Sequence, residues 1–310
     1  MRQVVPVRRG LPRWRRKAGA SAQASRRDRA RMSAALVTLV LALADDELVL
    51  GHRHSEWTGY APHIEEDVAF SSIAQDEIGH ASALYRLVGD ITGDDPDALA
   101  LGRERNEYRN ANLCERPNKD WAYTLVRYWL YDHADAVRLE SLEDSSNADL
   151  GALIRKIRRE ERYHLIHADT WVKRVAHGPV EGRSKLIEAM AESFAEIGGL
   201  FEEIEGEDKA VYAGELPIPN TELHKTFVER AATALDELGL PTEIHTRADQ
   251  QAEFVASSSG DLIAGRETAP DSSSEPSRGL GGRSGKHTED FDGLWETMTG
   301  QYRAHPGARW

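Results

Sequence analysis

Two segments of the chain carry the same four-residue pattern, Glu77-Ile78-Gly79-His80 and Glu161-Arg162-Tyr163-His164. On an α-helix, residues three apart share a face, so each Glu-x-x-His presents a carboxylate and an imidazole to one point. Such donors suit a metal ion. Carboxylate oxygens with imidazole nitrogens favour iron or manganese. The chain has one cysteine, Cys114, so no thiolate cluster pulls the choice toward zinc or copper(I). A single Glu-x-x-His is common on helices, where the acid is ordinarily a solvated charge and the histidine a surface residue. Two of them are a sharper signal.

The elements that must position these residues are helices. From Met32 to about Leu240 helix formers dominate, apolar residues recur at three and four spacing, and β-branched alternation is scarce. This predicts helices near 32–57, 62–90, 97–111, 119–144, 147–177, 183–206 and 219–238, within one helical domain spanning 32–245. Gly59 with Pro62, Gly93 to Pro96, Ser145 to Asn147, and Gly178 with Pro179 punctuate them. Short loops make successive helices antiparallel, the arrangement of an up-down bundle. Ferritin-like di-iron proteins place Glu-x-x-His on two helices of such a bundle and one further carboxylate on each of the other two.

In an antiparallel pair, ligands lie at about equal distances on either side of the turn. The turn after the first helix centres near Pro62, and reflecting Glu77 through it lands on Glu47. The turn after the third long helix centres near Ser146, and reflecting Glu161 through it lands on Tyr131, beside Asp132. The separations nearly match, 30 residues from Glu47 to Glu77 and 29 from Asp132 to Glu161. Asp135 and Glu140 are the alternative acids on or near that face. Glu47 sits in an apolar stretch, where a carboxylate costs several kcal/mol to bury unless it is paired or coordinated.

Neighbouring groups have blander readings. His54 lies seven residues after Glu47 and shares its face; it either bonds a ligand or lines the cavity, or it simply packs, and His52 is similar. Asp76 and Glu160, each preceding a motif glutamate, read as solvated charges, with contact to the histidines as the alternative. His133 and His167 read as plain polar residues, although His167 could orient His164. Glu56 with Trp57 reads as structural, and Cys114 as an inert buried thiol.

The 310 residues are 40% hydrophobic and 29% charged, with formal net charge −13. That acidic balance argues against non-specific binding to nucleic acid or to an anionic membrane. No apolar run reaches the roughly 18 residues a bilayer demands; the longest, Ala34 to Ala44, runs into Asp45, Asp46 and Glu47. A lone cysteine points to the cytoplasm. Residues 1–31 are arginine-rich and read as a disordered basic leader, or as sequence ahead of a start at Met32, more than as a transit peptide. Residues 246–288, rich in serine and glycine, read as a flexible segment, and 289–310, with Phe291, Trp295, Tyr302 and Trp310, as a tail that docks on the bundle.

The sequence also resembles the phenylacetyl-CoA epoxidase family. The run from Asp46 through His52, His54 and Trp57 to Pro62 resembles the start of that enzyme's second ferritin-like subunit, the one described as its structural partner. So do Glu65 to Ala69, Arg162 to Leu165, Trp171 to Arg174, and the stretch from Gly285 to Glu289 with Pro306, Gly307 and Trp310. The match covers most of 40–310 and is vaguer between 180 and 280. The chain departs from the pattern in one respect: the structural partner lacks most metal ligands, whereas this chain has Glu47, Glu77, His80 and Glu161 at those positions. The set resembles that of the catalytic partner, which supports Asp132 as the third-helix ligand.

The resemblance implies two irons, with manganese the alternative, held by Glu47, Glu77, His80, Asp132, Glu161 and His164. It implies dioxygen activation and epoxidation of an aromatic acyl-CoA in phenylacetate catabolism, alongside other epoxidase subunits. Electrons would come from a separate ferredoxin- or flavin-type reductase, because the chain has no Gly-rich dinucleotide fingerprint and no cysteine cluster. Arg103, Arg105, Arg109, Arg127, Arg155, Arg158 and Arg159 could meet CoA phosphates. The alternatives are a non-catalytic scaffold role in the same complex or another ferritin-like metal oxidase.

Overall fold

The apolar run that opens the helical region becomes a largely buried helix, α1 (Ala34–Ser55), in the computed structural model, which describes residues 32–241 and 279–308. Leu36, Val40, Ala44, Val49 and Leu50 have no exposed surface. Ser33 starts the helix by accepting the Leu36 N–H at 3.2 Å. The second helix, α2 (Ile64–Thr92), returns antiparallel and stops at Gly93, whose φ of 86° only glycine adopts readily. Gly51 lets the two helices approach closely at mid-length. A Cβ there would stand 2.8 Å from Ile78 Cγ1 and 3.1 Å from the Ala74 carbonyl oxygen. Glu47, one turn earlier, is thereby brought against the helix that carries Glu77 and His80.

After α3 (Pro96–Leu101) and α4 (Asn112–Glu115), a second long pair follows, α5 (Trp121–Leu142) and α6 (Ala148–Ala176). Asp120 and Asn147 cap these two helices, accepting the Tyr123 and Leu150 N–H groups at 2.9 and 3.0 Å. On α6 the buried stripe runs Leu150, Ile154, Ile157, Glu161, His164, Ala168, Val172. Glu161 and His164 thus stand in core positions otherwise held by apolar side chains. On α2, Glu77 and His80 do the same between Ile73 and Leu84. α1 packs on α2, α5 on α6, and α2 touches α6. The result is a ferritin-like four-helix bundle.

The remaining helices α7 (Val180–Phe194), α8 (Glu207–Tyr212), α9 (Asn220–Glu237) and α10 (Asp290–Ala304) clad this bundle. α7 and α9 cover α5, α8 leans on α1, and α10 packs on α1, α3 and α4 through Phe291, Leu294 and Met298. Among the described residues no strand occurs, and no helix is long and apolar enough to cross a membrane.

Three expectations need correction. The helix expected over 97–111 ends at Leu101, apart from one 3-10 turn at Arg105–Glu107. The backbone beyond is drawn instead to two buried acids of α1: Arg109 N–H donates to Asp45 and Ala111 N–H to Asp46, both at 2.7 Å. The helix expected over 183–206 ends at Phe194 and gives way to a 3-10 turn, Ile197–Phe201. There the Gly279 carbonyl presses on Gly199 where a Cβ would otherwise stand.

The last ten residues of the expected flexible segment, 279–288, are folded onto the bundle. Their anchor is Arg283, only 8% exposed, which donates to Asp46 at 2.7 Å and to the Arg109 and Leu200 carbonyls. Burial alone would raise the Asp46 pKa, but Arg283 and Arg138 hold it below the usual carboxylate value. The expectations for the leader, for residues 246–278 and for Trp310 lie outside the described residues.

Candidate metal centre

All six candidate ligands are buried. Exposures run from 1% for Glu77 through 3% for Glu47, His80, Asp132 and His164 to 8% for Glu161. They come from all four long helices and face the bundle interior. His80 is the hub: its Nδ1 lies 2.9 Å from Glu161 Oε1 and 3.3 Å from Glu47 Oε2. Glu47, His80 and Glu161 each offer a donor atom within 4.8 Å of the others, a group that could hold a metal ion. His164 Nδ1 joins at 3.3 Å from Glu161 Oε1, and the two imidazole rings are 6.2 Å apart.

The outer nitrogens of the two histidines are held crosswise. His80 Nε2 meets Glu160 at 2.9 Å, and His164 Nε2 meets Asp76 at 3.3 Å. Each motif therefore supplies the acid that orients the histidine of the other. With a carboxylate accepting at Nε2, each ring is fixed with Nδ1 turned inward, where its lone pair becomes available to a cation once the Nδ1 proton leaves. Asp76 and Glu160 are thus contact residues and not the solvated charges expected of them, though about half of each side chain stays exposed.

Glu77 Oε2 lies 2.9 Å from His54 Nδ1, and the His54 ring packs edge-on against Phe70 and Tyr128. His54, one of the residues the sequence left open, is therefore a partner of a candidate ligand. Glu47 Oε1 accepts from Tyr131 at 2.6 Å. Tyr131 is the residue on which reflection of Glu161 lands; a phenol is not a bundle ligand, and this one holds a ligand instead. Asp132, its neighbour, is buried, and neither of its carboxylate oxygens has a hydrogen-bond partner. Tyr128, beside Asp132, donates to the His164 carbonyl at 2.8 Å.

Of the alternative acids, Asp135 is ion-paired with Arg138 at 2.9 Å, and Glu140 bonds Arg230 at the surface. His167 bonds Glu66 at 3.0 Å and leaves His164 alone. His133 bonds Asp169 at 2.9 Å. Cys114 is buried beside Asp46, and burial pushes its thiol pKa well up. Most of the candidate phosphate-binding arginines are otherwise engaged: Arg103 on Asp45, Arg105 on Asp292, Arg127 on the Arg116 carbonyl, and Arg158 on Glu143.

The electrostatics fit a cation. Burial raises the pKa of Glu77 and Asp132 well above the usual range, and neighbouring carboxylates add to the shift. Burial also raises Glu47. Burial disfavours the His80 imidazolium, yet Glu161 and Glu47 outweigh it and push its pKa up to about 12. Glu161, answering His164 and His80 against the same burial, falls to about 2. Acids crowded until protons must neutralise them are what a divalent cation relieves, by displacing those protons. The buried, partnerless atoms Asp132 Oδ1 and Oδ2 and Glu77 Oε1, with Glu161 Oε1 and His164 Nδ1 close to each other at 3.3 Å, supply the oxygen and nitrogen donors such an ion needs.

Residues 16–256 match a family model described as phenylacetic acid catabolic protein. A relative from Escherichia coli (strain K12), one of the subunits of its 1,2-phenylacetyl-CoA epoxidase, is 28% identical over 277 residues. The alignment covers 89% of this chain and 99% of the relative. With more than half of its length matched, the chain belongs to the phenylacetic acid catabolic protein family.

Proposed function

We propose that this chain is a metal-binding component of a phenylacetyl-CoA epoxidase-type oxygenase, acting in the cytoplasm with partner subunits and a separate reductase. Glu47, Glu77, His80, Asp132, Glu161 and His164 would hold two irons. The observation that carries the reading is the set of buried carboxylate oxygens of Asp132 and Glu77 without partners, beside the clustered Glu47, His80 and Glu161. A packed core does not leave such atoms unsatisfied without a compensating ligand. When bound, the irons would supply dioxygen activation, one oxygen atom passing to the aromatic ring of an acyl-CoA and the other leaving as water.

The residues of the chain have distinct tasks in this reading. Asp76 and Glu160 fix the two imidazoles with Nδ1 inward. Tyr131 holds the Glu47 carboxylate in one rotamer by donating to Oε1. His54 holds Glu77, and Phe70 and Tyr128 pack around it to keep water out. Burial favours protons on Glu77 and Asp132, and the neighbouring carboxylates favour one on His80, so metal uptake releases protons.

Anaerobic loading of the full chain with ferrous iron, followed by metal analysis, should give about two irons per chain; absence of tightly bound metal rejects the reading. A scaffold role has one observation in its favour, the closed ion-paired contacts among His80, Glu47 and Glu161. In that case Glu77→Ala and Glu161→Ala would leave the activity of the assembled complex unchanged.

A further inference from the structure

Three of the seven tryptophans meet in one cluster. Trp121 stands in the middle, its ring centroid 5.0 Å from that of Trp57 and 6.1 Å from that of Trp171. All three are partly buried. On its inner side Trp121 packs against Phe70 at 4.8 Å, and Phe70 packs against the His54 and Tyr128 rings at 5.3 and 5.5 Å. His54 bonds Glu77, and Tyr128 donates to the His164 carbonyl. Ring contact is therefore continuous from groups bonded to two candidate metal ligands out to the protein surface. Indoles give up one electron far more readily than the benzene ring of Phe70, so Trp121 is the first tryptophan on this path outward.

The surroundings set the direction in which a positive hole on these rings travels. Trp121 is the first residue of α5, at the helix end whose N–H dipoles disfavour positive charge. Trp57 lies two residues past the C-terminal end of α1, where carbonyl dipoles favour it. Trp171 carries the Arg174 guanidinium 4.8 Å from its ring centroid, and that fixed charge opposes a second one. A hole on Trp121 thus runs to Trp57 and not to Trp171. The indole nitrogen of Trp121 is buried without a hydrogen-bond partner, so its proton has nowhere to go and the electron moves alone.

We propose that Trp121 and Trp57 form a one-electron relay that discharges the metal centre when no substrate uses its oxidising power. Trp121 gives one electron to the oxidised centre across the Phe70 contact. Trp57 refills Trp121 and is left with the positive hole at the surface. An enediol reductant in solution then returns one electron to Trp57 and loses one proton to water. No bond within the chain forms or breaks. The proposal rests on the functional reading above for its oxidant, whereas the direction of the relay rests on the tryptophan surroundings alone.

The test maps tryptophan oxidation by peptide mass spectrometry in two arms. In the first, the full chain loaded with ferrous iron meets dioxygen without any acyl-CoA. Oxidation products should collect on Trp57 rather than on Trp171 or Trp295, which are also partly buried, and ascorbate should suppress them. Trp121→Phe should abolish them, because phenylalanine does not pass the hole on. In the second arm the metal-free chain is oxidised by photoexcited tris(bipyridine)ruthenium with persulfate, which needs no metal site. Trp57 should again collect the damage. Arg174 is exposed, so Arg174→Ala leaves the core intact. That change should raise the Trp171 share by about ten-fold, the weight of one charge lifted from a ring face. Even damage across the partly buried tryptophans, Trp57 damage that survives Trp121→Phe in the iron arm, or a Trp171 share indifferent to Arg174→Ala would overturn the proposal. A chain that takes up no iron yet gathers photo-oxidation on Trp57 keeps the path from Trp121 to Trp57 and rejects the metal reading; one that takes up iron but scatters the damage rejects the relay alone.

Discussion

Asp132→Leu separates a metal centre from a merely polar core, because the two make opposite demands on stability. Asp132 is 3% exposed and neither of its oxygens has a hydrogen-bond partner. Burial, Glu161 and Glu77 together drive its pKa well up, so the group is disfavoured in its ionised form and unsatisfied in its neutral one. An unpaired buried polar group costs roughly 1–3 kcal/mol. Leucine removes that cost, and the open cavity that Asp132 lines between α5 and α6 gives the larger side chain room. The metal-free variant should therefore be more stable by about 2 kcal/mol, or several degrees in Tm for a chain of this length.

With metal the order changes. At a free ferrous concentration of about 100 Kd, binding stabilises the parent by roughly 2.7 kcal/mol. Loss of one carboxylate ligand should shrink that increment to well under 1 kcal/mol. Urea unfolding at neutral pH, run anaerobically with and without ferrous iron, reads both quantities on one sample. A metal-free variant weaker than the parent, with its iron-induced shift intact, would show that Asp132 is an ordinary structural acid and that its orphaned oxygens do not mark a metal site.

Asp76→Asn or Glu160→Gln should lower iron affinity by about 10- to 100-fold through loss of histidine orientation, while metal-free stability shifts by less than about 0.5 kcal/mol at these half-exposed positions; an unchanged titration curve would remove both from the site. His224, stacked on Phe201 at 4.9 Å with neither ring nitrogen bonded, has its pKa pushed down by burial to about 4. The unfolded chain takes up that proton near pH 6.5 and the folded one near 4, so stability is lost as pH falls through this window, by an amount on the order of 3 kcal/mol. His224→Leu should flatten that acid limb in denaturant titrations, and an identical limb in parent and variant would refute it.

The amino-acid order was enough to give the bundle and to nominate its interior acids. Periodicity of three and four marks which side chains turn inward, and Glu77, His80, Glu161 and His164 keep that period where apolar residues are otherwise required. Turn symmetry then reached Glu47 and the neighbourhood of Asp132, because antiparallel helices joined by short loops place equal arc lengths at equal heights. The crosswise bonds of Asp76 and Glu160, the Tyr131 contact to Glu47 and the pairing of His54 with Glu77 were beyond that reach. They depend on rotation of each helix about its axis and on the spacing between α2 and α6, which side-chain packing sets. The broken helix after Leu101 and the docking of Arg283 were equally hidden. Both are driven by Asp45 and Asp46, whose buried charge recruits amides and guanidiniums from segments more than fifty residues away, and local sequence carries no trace of a partner that only the folded chain brings near.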